Sequence, residues 1–205
     1  MSKSDNSELQ KNDEFSDENQ PTWIYNNISW YLTWMWGKAR GYGQPLVSNK
    51  YSADCVYSEK VHGKNKDSNF EIHLGGIPSL YNKDRLVETG VTHILTAILG
   101  VGKQYSKDKF TTLNIPARDV EWEHINKYFD EAADFIKECE KENGKVFVHC
   151  MCGVSRSSTL VAAYLIREKG MSAHDAIDHI HSYRKKVDPN KGFRQQLEDY
   201  EKSLK

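Results

Sequence analysis

With 205 residues, the chain can bury one core of ordinary size and has no need of a second domain. Lys and Arg number 28 against 29 Asp and Glu, so the net charge gives no basis for non-specific nucleic-acid binding. No apolar run approaches the roughly 18 residues that suggest a membrane span, and the acidic, polar N-terminus reads as neither a secretory signal nor a transit peptide. Four cysteines, Cys55, Cys139, Cys150 and Cys152, lack metal-ligand spacing. They fit a cytoplasmic protein with reduced thiols, with the nucleus also open.

Residues 1–21 carry Asp5, Glu8, Asp13, Glu14, Asp17 and Glu18 against Lys3 and Lys11, so little there can be buried and a disordered tail is expected. Residues 22–67 form an aromatic-rich extension. Trp23, Trp30, Trp34 and Trp36 fall in its first part with Tyr25, Tyr31 and Tyr42. Ile28, Tyr31, Leu32 and Met35 recur at helical spacing, with Asn27 as a cap and Gly37, Gly41 and Gly43 as stops. Such a helix cannot leave every face in water. A brace packed on the following domain is the preferred reading, over docking of residues 22–42 on a partner or a membrane surface. Residues 44–67 are polar and mixed, with loop chemistry at Gly63-Lys64-Asn65-Lys66.

Residues 68–205 have a regular rhythm. Phe70, Ile72 and Leu74 alternate as a strand that Gly75-Gly76 should stop. A short helix over Ser79–Thr89 places Leu80, Leu86 and Val87 on one side, with Gly90 past its end. His93–Leu99 reads as a buried strand, Gly100 and Gly102 open a loop, and Phe110–Ile115 is a strand closed by Pro116. A long helix is expected from about Trp122 to Glu142, with Ile125, Tyr128, Phe129, Ala132, Phe135, Ile136 and Cys139 on one face. Asn143-Gly144 ends it and the strand Lys145–His149 follows. Ser157–Lys169 is apolar almost all round and predicts a central buried helix. Ser172 and Asp175 have cap spacing ahead of Ala176, Ile177 and Ile180. A turn at Val187-Asp188-Pro189-Asn190 precedes a last helix with Phe193, Leu197, Tyr200 and Leu204 on one face. The alternation predicts an α/β fold: a central mixed, mostly parallel sheet with helices on both faces.

The chemistry concentrates in Val146-Phe147-Val148-His149-Cys150-Met151-Cys152-Gly153-Val154-Ser155-Arg156-Ser157-Ser158. This is a strand, a tight loop and a helix N-terminus, with a thiol at the entrance and a guanidinium at the exit. Backbone N–H groups from Met151, Cys152, Gly153, Val154, Ser155 and Arg156 can form an anion nest, and the helix dipole points at it. Arg156 can pair two phosphoryl oxygens at once. The same field favours a Cys150 thiolate, since cysteines in such settings have pKa values of about 3.5–7.5. Gly153 lets the loop turn its amides inward. Ser157 can donate to the sulfur and ease its departure. The leaving group needs a proton, and Asp119 in Pro116-Ala117-Arg118-Asp119 is the candidate acid. Glu121 and Glu123 are rivals by position, and a helix N-cap is the alternative role for Asp119. His149 is expected to order the loop rather than transfer protons. Cys152 reads as a packing residue, with Cys55 and Cys139 no weaker as resolving thiols.

His149-Cys150-x-x-Gly153-x-Ser155-Arg156-Ser157 resembles the signature of cysteine-dependent protein phosphatases in the dual-specificity, atypical form. The resemblance extends through Gly90-Val91-Thr92-His93-Ile94-Leu95, Ile115-Pro116-Ala117-Arg118-Asp119, Tyr128-Phe129, Asp134-Phe135-Ile136, Ala163-Tyr164-Leu165 and Pro189-Asn190. It covers about residues 68–204, while residues 1–60 match nothing in the family pattern. It implies that Cys150 is the nucleophile, Arg156 the phosphate ligand, Asp119 the general acid and Ser157 the aid to thiolate release. It also implies a phosphoprotein substrate, with no metal and no cofactor. Dual-specificity members accept phosphotyrosine and phosphoserine or phosphothreonine in a shallow pocket. The alternatives are a lipid, phosphoinositide-type phosphatase on the same fold and a phosphoprotein-binding module without turnover. The first is disfavoured by the uncharged Met151, Cys152, Val154 and Ser155, the second by the presence of Cys150, Arg156 and Asp119 together.

Overall fold

The structure, a computed structural model, describes residues 53–81, 83–100 and 109–205. The acidic tail, the tryptophan-rich helix and its proposed bracing or docking role, and Gly102 lie outside the described residues.

Five strands form one sheet in the order β1-β2-β5-β3-β4. They are β1 (Asp54–Ser58), β2 (Glu71–Gly76), β3 (His93–Ala97), β4 (Thr111–Ile115) and β5 (Lys145–Cys150). Only the edge strand β1 is antiparallel to its neighbour; the other pairings are parallel. A parallel sheet must be covered on both faces, and the pleat divides the side chains accordingly. On one face Phe147 and Ile94 pack with Leu86, Val91 and Phe110, under a 3-10 turn (Ile77–Tyr81) and a short helix, α2 (Lys83–Glu88). Val146 and Val148 alternate to the opposite face, which is covered by α3 (Phe129–Lys141) and α4 (Arg156–Lys169). Two further helices, α5 (Ala173–Tyr183) and α6 (Lys191–Ser203), pack on α4.

Helix α4 is the hub. Every residue from Arg156 to Ile166 is buried, the apolar run from Leu160 to Ile166 in the core and the polar first turn beneath the loop, and each large aliphatic side chain so buried contributes about 1.5–3 kcal/mol. Gly170, at a φ of +67°, ends the helix in the left-handed conformation that glycine adopts without strain. The expected cap on α5 is present: the Ser172 hydroxyl accepts from the Asp175 N–H.

Several expectations need correction. The stretch 44–67 is not all polar connection, since Asp54–Ser58 adds a strand to the sheet. A bulge between Cys55 and Tyr57 buries the adjacent Val56 and Tyr57 together, so no period-2 alternation marks this strand in the sequence. The four-residue helix α1 (Glu59–His62) follows it. Gly75-Gly76 does not stop β2 but continues it, pairing with His149 and Cys150. Residue 75 lies against the Phe147 ring and residue 76 against the Met151 carbonyl, so a Cβ at either position would clash. Val87 is exposed while Leu86 is buried. The long helix starts at Phe129 behind a 3-10 turn (Ile125–Tyr128), leaving Trp122 outside it in solvent. Leu204 is exposed rather than part of the buried face of α6.

Candidate active site

Strand β5 lies at the middle of the sheet and delivers Cys150 to its C-terminal end, where residues 151–155 form a loop before α4 begins at Arg156. The Cys150 sulfur is buried. It accepts hydrogen bonds from the Gly153 N–H at 3.2 Å and from the Ser157 hydroxyl at 3.2 Å. Burial by itself raises a thiol pKa, but the Arg156 guanidinium and the Ser157 donors outweigh it and hold Cys150 below the ordinary thiol value. At the other three cysteines burial prevails over the nearby cations and donors. Burial pushes Cys152 and Cys55 up to about 11 and Cys139 to about 12, so at neutral pH they are protonated and poor nucleophiles.

Arg156 is buried, and one of its Nη groups donates to the Ala117 carbonyl at 3.2 Å. Its Nε, also buried, has no hydrogen-bond partner. The nearest acidic oxygen, Asp119 Oδ2, is 3.6 Å away. Asp119 reaches the loop from the turn after β4. Its Oδ1 accepts from the Ser155 hydroxyl at 2.7 Å and from the Asn190 side-chain amide at 3.1 Å. Asp119 therefore ties three segments together, and its side-chain bonds run to these partners rather than to a helix end. Glu123 pairs with Lys127 and Glu121 is exposed, so of the three candidate acids only Asp119 faces the thiol loop. The neighbouring Arg118 is exposed.

Thiol, guanidinium, inward amides and acid surround one small volume, an arrangement that neutralises a phosphoryl dianion beside a nucleophile. A family model described as "Dual specificity phosphatase, catalytic domain" matches residues 72–203.

The chain belongs to the dual-specificity phosphatase family.

Its activity is that of a cysteine-based protein phosphatase. The phosphatase is 40% identical over 133 residues to Dual specificity protein phosphatase 1 of Arabidopsis thaliana, covering 65% of this chain and 67% of that protein. It is 36% identical over 130 residues to Dual specificity protein phosphatase 22-A of Danio rerio, covering 63% and 62%. Among solved structures it resembles DUSP15, with 35% identity, a TM-score of 0.60, and 63% of this chain and 82% of that chain covered. It also resembles human tyrosine phosphatase-like serine/threonine/tyrosine-interacting protein, with 26% identity, a TM-score of 0.64, and coverage of 75% and 98%.

The loop holds its shape because its carbonyls have partners on the outside. Met151 O accepts from Ile77 N–H at 3.1 Å, Gly153 O from Arg184 Nε at 2.9 Å, Val154 O from Asp188 N–H at 3.0 Å, and Ser155 O from Thr159 N–H at 2.9 Å. A trans peptide points its carbonyl and its N–H in opposite directions, so carbonyls held outward turn the amides inward. Gly153 has a φ of +66°, and a Cβ there would meet the Gly75 carbonyl, so both conformation and space require glycine. Behind the loop, His149 is fully buried with Nε2 2.8 Å from Thr96 Oγ1 and its ring stacked on Phe147. Burial drives His149 down to about 4, so it stays neutral at physiological pH.

Sequence reasoning missed Arg184, Thr96, the side-chain role of Asn190 and Asp54. Asn190 was legible only as a turn residue, and it also caps α6 by accepting from Phe193 N–H. Nothing local to Arg184 or Asp54 marks them, because their partners lie 31 and 130 positions away in the chain. A separate group, Cys55, Glu71 and His73, brings donor atoms within 4.8 Å of one another. The Lys145 ammonium already occupies Glu71 at 2.9 Å, which supplies the positive charge that such a group would otherwise take from a cation. Among the described residues no helix is long and apolar enough to cross a membrane.

Proposed function

We propose that the phosphatase hydrolyses phosphotyrosine and phosphoserine or phosphothreonine in proteins through a phosphocysteine intermediate, with Cys150, Arg156, Asp119 and Ser157 as its working residues. The Cys150 thiolate attacks phosphorus in line with the leaving oxygen. Amides of residues 151–156 and the Arg156 fork bind the three equatorial oxygens, where charge must be neutralised before an anion can attack. Asp119 protonates the departing alkoxide or phenoxide. Its Oδ2, which accepts from neither Ser155 nor Asn190 and lies 3.6 Å from Arg156 Nε, is the oxygen assigned that proton. In the second step Asp119 takes a proton from water as the water oxygen bonds to phosphorus. The S–P bond breaks, and the Ser157 hydroxyl supports the thiolate that leaves.

The observation that carries this reading is the buried Arg156 Nε, which has no hydrogen-bond partner and only a 3.6 Å ion pair with Asp119 Oδ2, beside a thiol that the guanidinium and the Ser157 donors hold down. A buried guanidinium N–H without a partner is costly, and a phosphoryl oxygen is the acceptor that suits it. Uncharged side chains at 151, 152, 154 and 155 favour protein phosphate over multiply phosphorylated lipid headgroups. A nucleophilic thiol must stay reduced, which supports a cytosolic or nuclear location.

The test is a substrate panel of phosphotyrosine, phosphoserine and phosphothreonine peptides against phosphoinositide vesicles. Wild type is expected to turn over both peptide classes, and Cys150→Ser neither, with its thermal unfolding near that of wild type. Faster turnover of phosphoinositides than of any peptide would overturn the protein-substrate reading.

A further inference from the structure

Arg184 is a buried cation that the proposed chemistry does not use. Its side chain is 2% exposed, yet it lies at the end of α5 against the outside of the catalytic loop. Its Nε donates to Gly153 O at 2.9 Å and an Nη to Cys152 O at 3.4 Å. The other Nη pairs with the carboxylate of Asp54 at the start of β1. The two carbonyls belong to consecutive peptide units. The first of these units also carries the Gly153 N–H that bonds the Cys150 sulfur, and the second carries the Val154 N–H.

We infer that the Arg184–Asp54 ion pair positions the amides of Gly153 and Val154 for phosphate, which makes β1 part of the catalytic apparatus although it lies outside the matched residues 72–203. Arg184 grips both units by their carbonyls and so turns their N–H groups toward sulfur and phosphate. The grip needs glycine at 153, where a Cβ would come within 2.9 Å of the guanidinium. Carbonyl dipoles solvate the guanidinium but do not cancel its charge. A buried charge without a counter-charge is unstable, and Asp54 supplies the counter-charge. Asp54 is itself held in register opposite Leu74, and β2 runs on to pair Gly76 with Cys150. The pair and the sheet therefore locate the same loop from two sides. Lys186 and Cys152 are the other titratable groups near this point, with Cys150 and Asp119 inside the loop.

The inference rests on the loop being the phosphate cradle, and Cys150→Ser tests that separately, since it abolishes turnover whether or not the pair matters. The pair is tested with Asp54→Asn, Asp54→Glu and Arg184→Lys, in two measurements. One is the pH midpoint for alkylation of Cys150 by iodoacetate; the other is vanadate affinity. Removing a negative charge near the thiol by Coulomb's law alone would lower the midpoint, whereas loosening the amides raises it, so the sign separates the two. The expected result for Asp54→Asn is a higher midpoint and about tenfold weaker vanadate binding, equivalent to one pKa unit. Asp54→Glu should recover most of both. Arg184→Lys, which keeps the charge without the fork, should resemble Asp54→Asn. A midpoint that is unchanged or lower in Asp54→Asn, with wild-type vanadate affinity, overturns the inference even if the variant melts at a lower temperature.

Discussion

Two of the regions that bury charge in this molecule do so differently. Around Lys169 the network is closed. The ammonium lies 2.9 Å from Glu59 and 2.6 Å from Glu140, the Tyr57 hydroxyl donates to Glu59, and the Tyr164 hydroxyl donates to Glu140. Burial disfavours the Glu59 carboxylate, but Lys169 and Tyr57 prevail and hold its pKa at about 2. That cluster fastens α1 and the end of β1 to α3 and α4. Around Arg156 the network is open, with a buried Nε that has no hydrogen-bond partner and a thiol kept in reach of ionisation by the guanidinium and by donors aimed at it. A closed network stabilises a fold; an open one is prepared for a ligand that completes it.

The largest contrast should appear when each cation is altered. Arg156→Lys keeps the charge but loses the planar fork, and kcat/KM should fall about 10²–10³-fold with little change in melting temperature. Lys169→Met should do the reverse. It leaves Glu59 and Glu140 without their shared cation, at about 3 kcal/mol of stability in chemical denaturation, with kcat/KM near wild type. Equal losses of activity in the two variants would erase the distinction between open and closed networks.

Asp119→Ala probes the donor side of the open region. With phosphoserine peptides, whose alkoxide leaves poorly, the rate should fall about 10²-fold or more. With an aryl phosphate bearing a good leaving group the loss should be several times smaller. Equal losses on both substrates would remove Asp119 from the acid role.

A smaller effect is expected from Ser157→Ala. It deletes one of the donors that lower the Cys150 pKa, so the acid limb of kcat/KM should move to higher pH. Release of the thiolate should slow, seen as a larger burst in rapid-quench kinetics. A profile superimposable on wild type would assign Ser157 to packing alone.

His149→Gln should change neutral-pH activity least. His149 is held neutral, with its folded pKa near 4 below the unfolded value of about 6.5. Its contribution to stability is therefore complete above pH 6.5 and is lost as the pH falls toward 4, by up to about 3 kcal/mol. The variant should lose less stability than wild type across that window, measured by urea unfolding at each pH.

The open region was the more legible in sequence. Its thiol, glycine, arginine and serine lie within eight consecutive positions, and a strand-loop-helix bounds them. Asp119 was legible as a candidate acid, with Glu121 and Glu123 as rivals by position, and it is Asp119 that the structure brings to the loop. The outer grip was not. Arg184 and Asn190 touch the loop, and Asp54 and Thr96 back it through Arg184 and His149, all from elements far along the chain, and each occupies an ordinary position in its own neighbourhood. Strand β1 was missed for a related reason: its bulge removes the alternation by which strands are recognised.

The sequence by itself determined the chemistry, since nucleophile, anion nest and guanidinium are carried by one short segment whose conformation is set locally by Gly153 and by the helix that follows. It also determined the layering, because the buried β5 and α4, apolar all round from Leu160 to Ile166, must lie at the centre. Only the tertiary structure decided how that segment is held: which carbonyls face outward and to what, which charge neutralises Arg184, and that the sheet extends to Asp54. Those depend on long-range packing, where a residue's partner is chosen by the three-dimensional path of the chain and leaves no periodic trace in the residues around it.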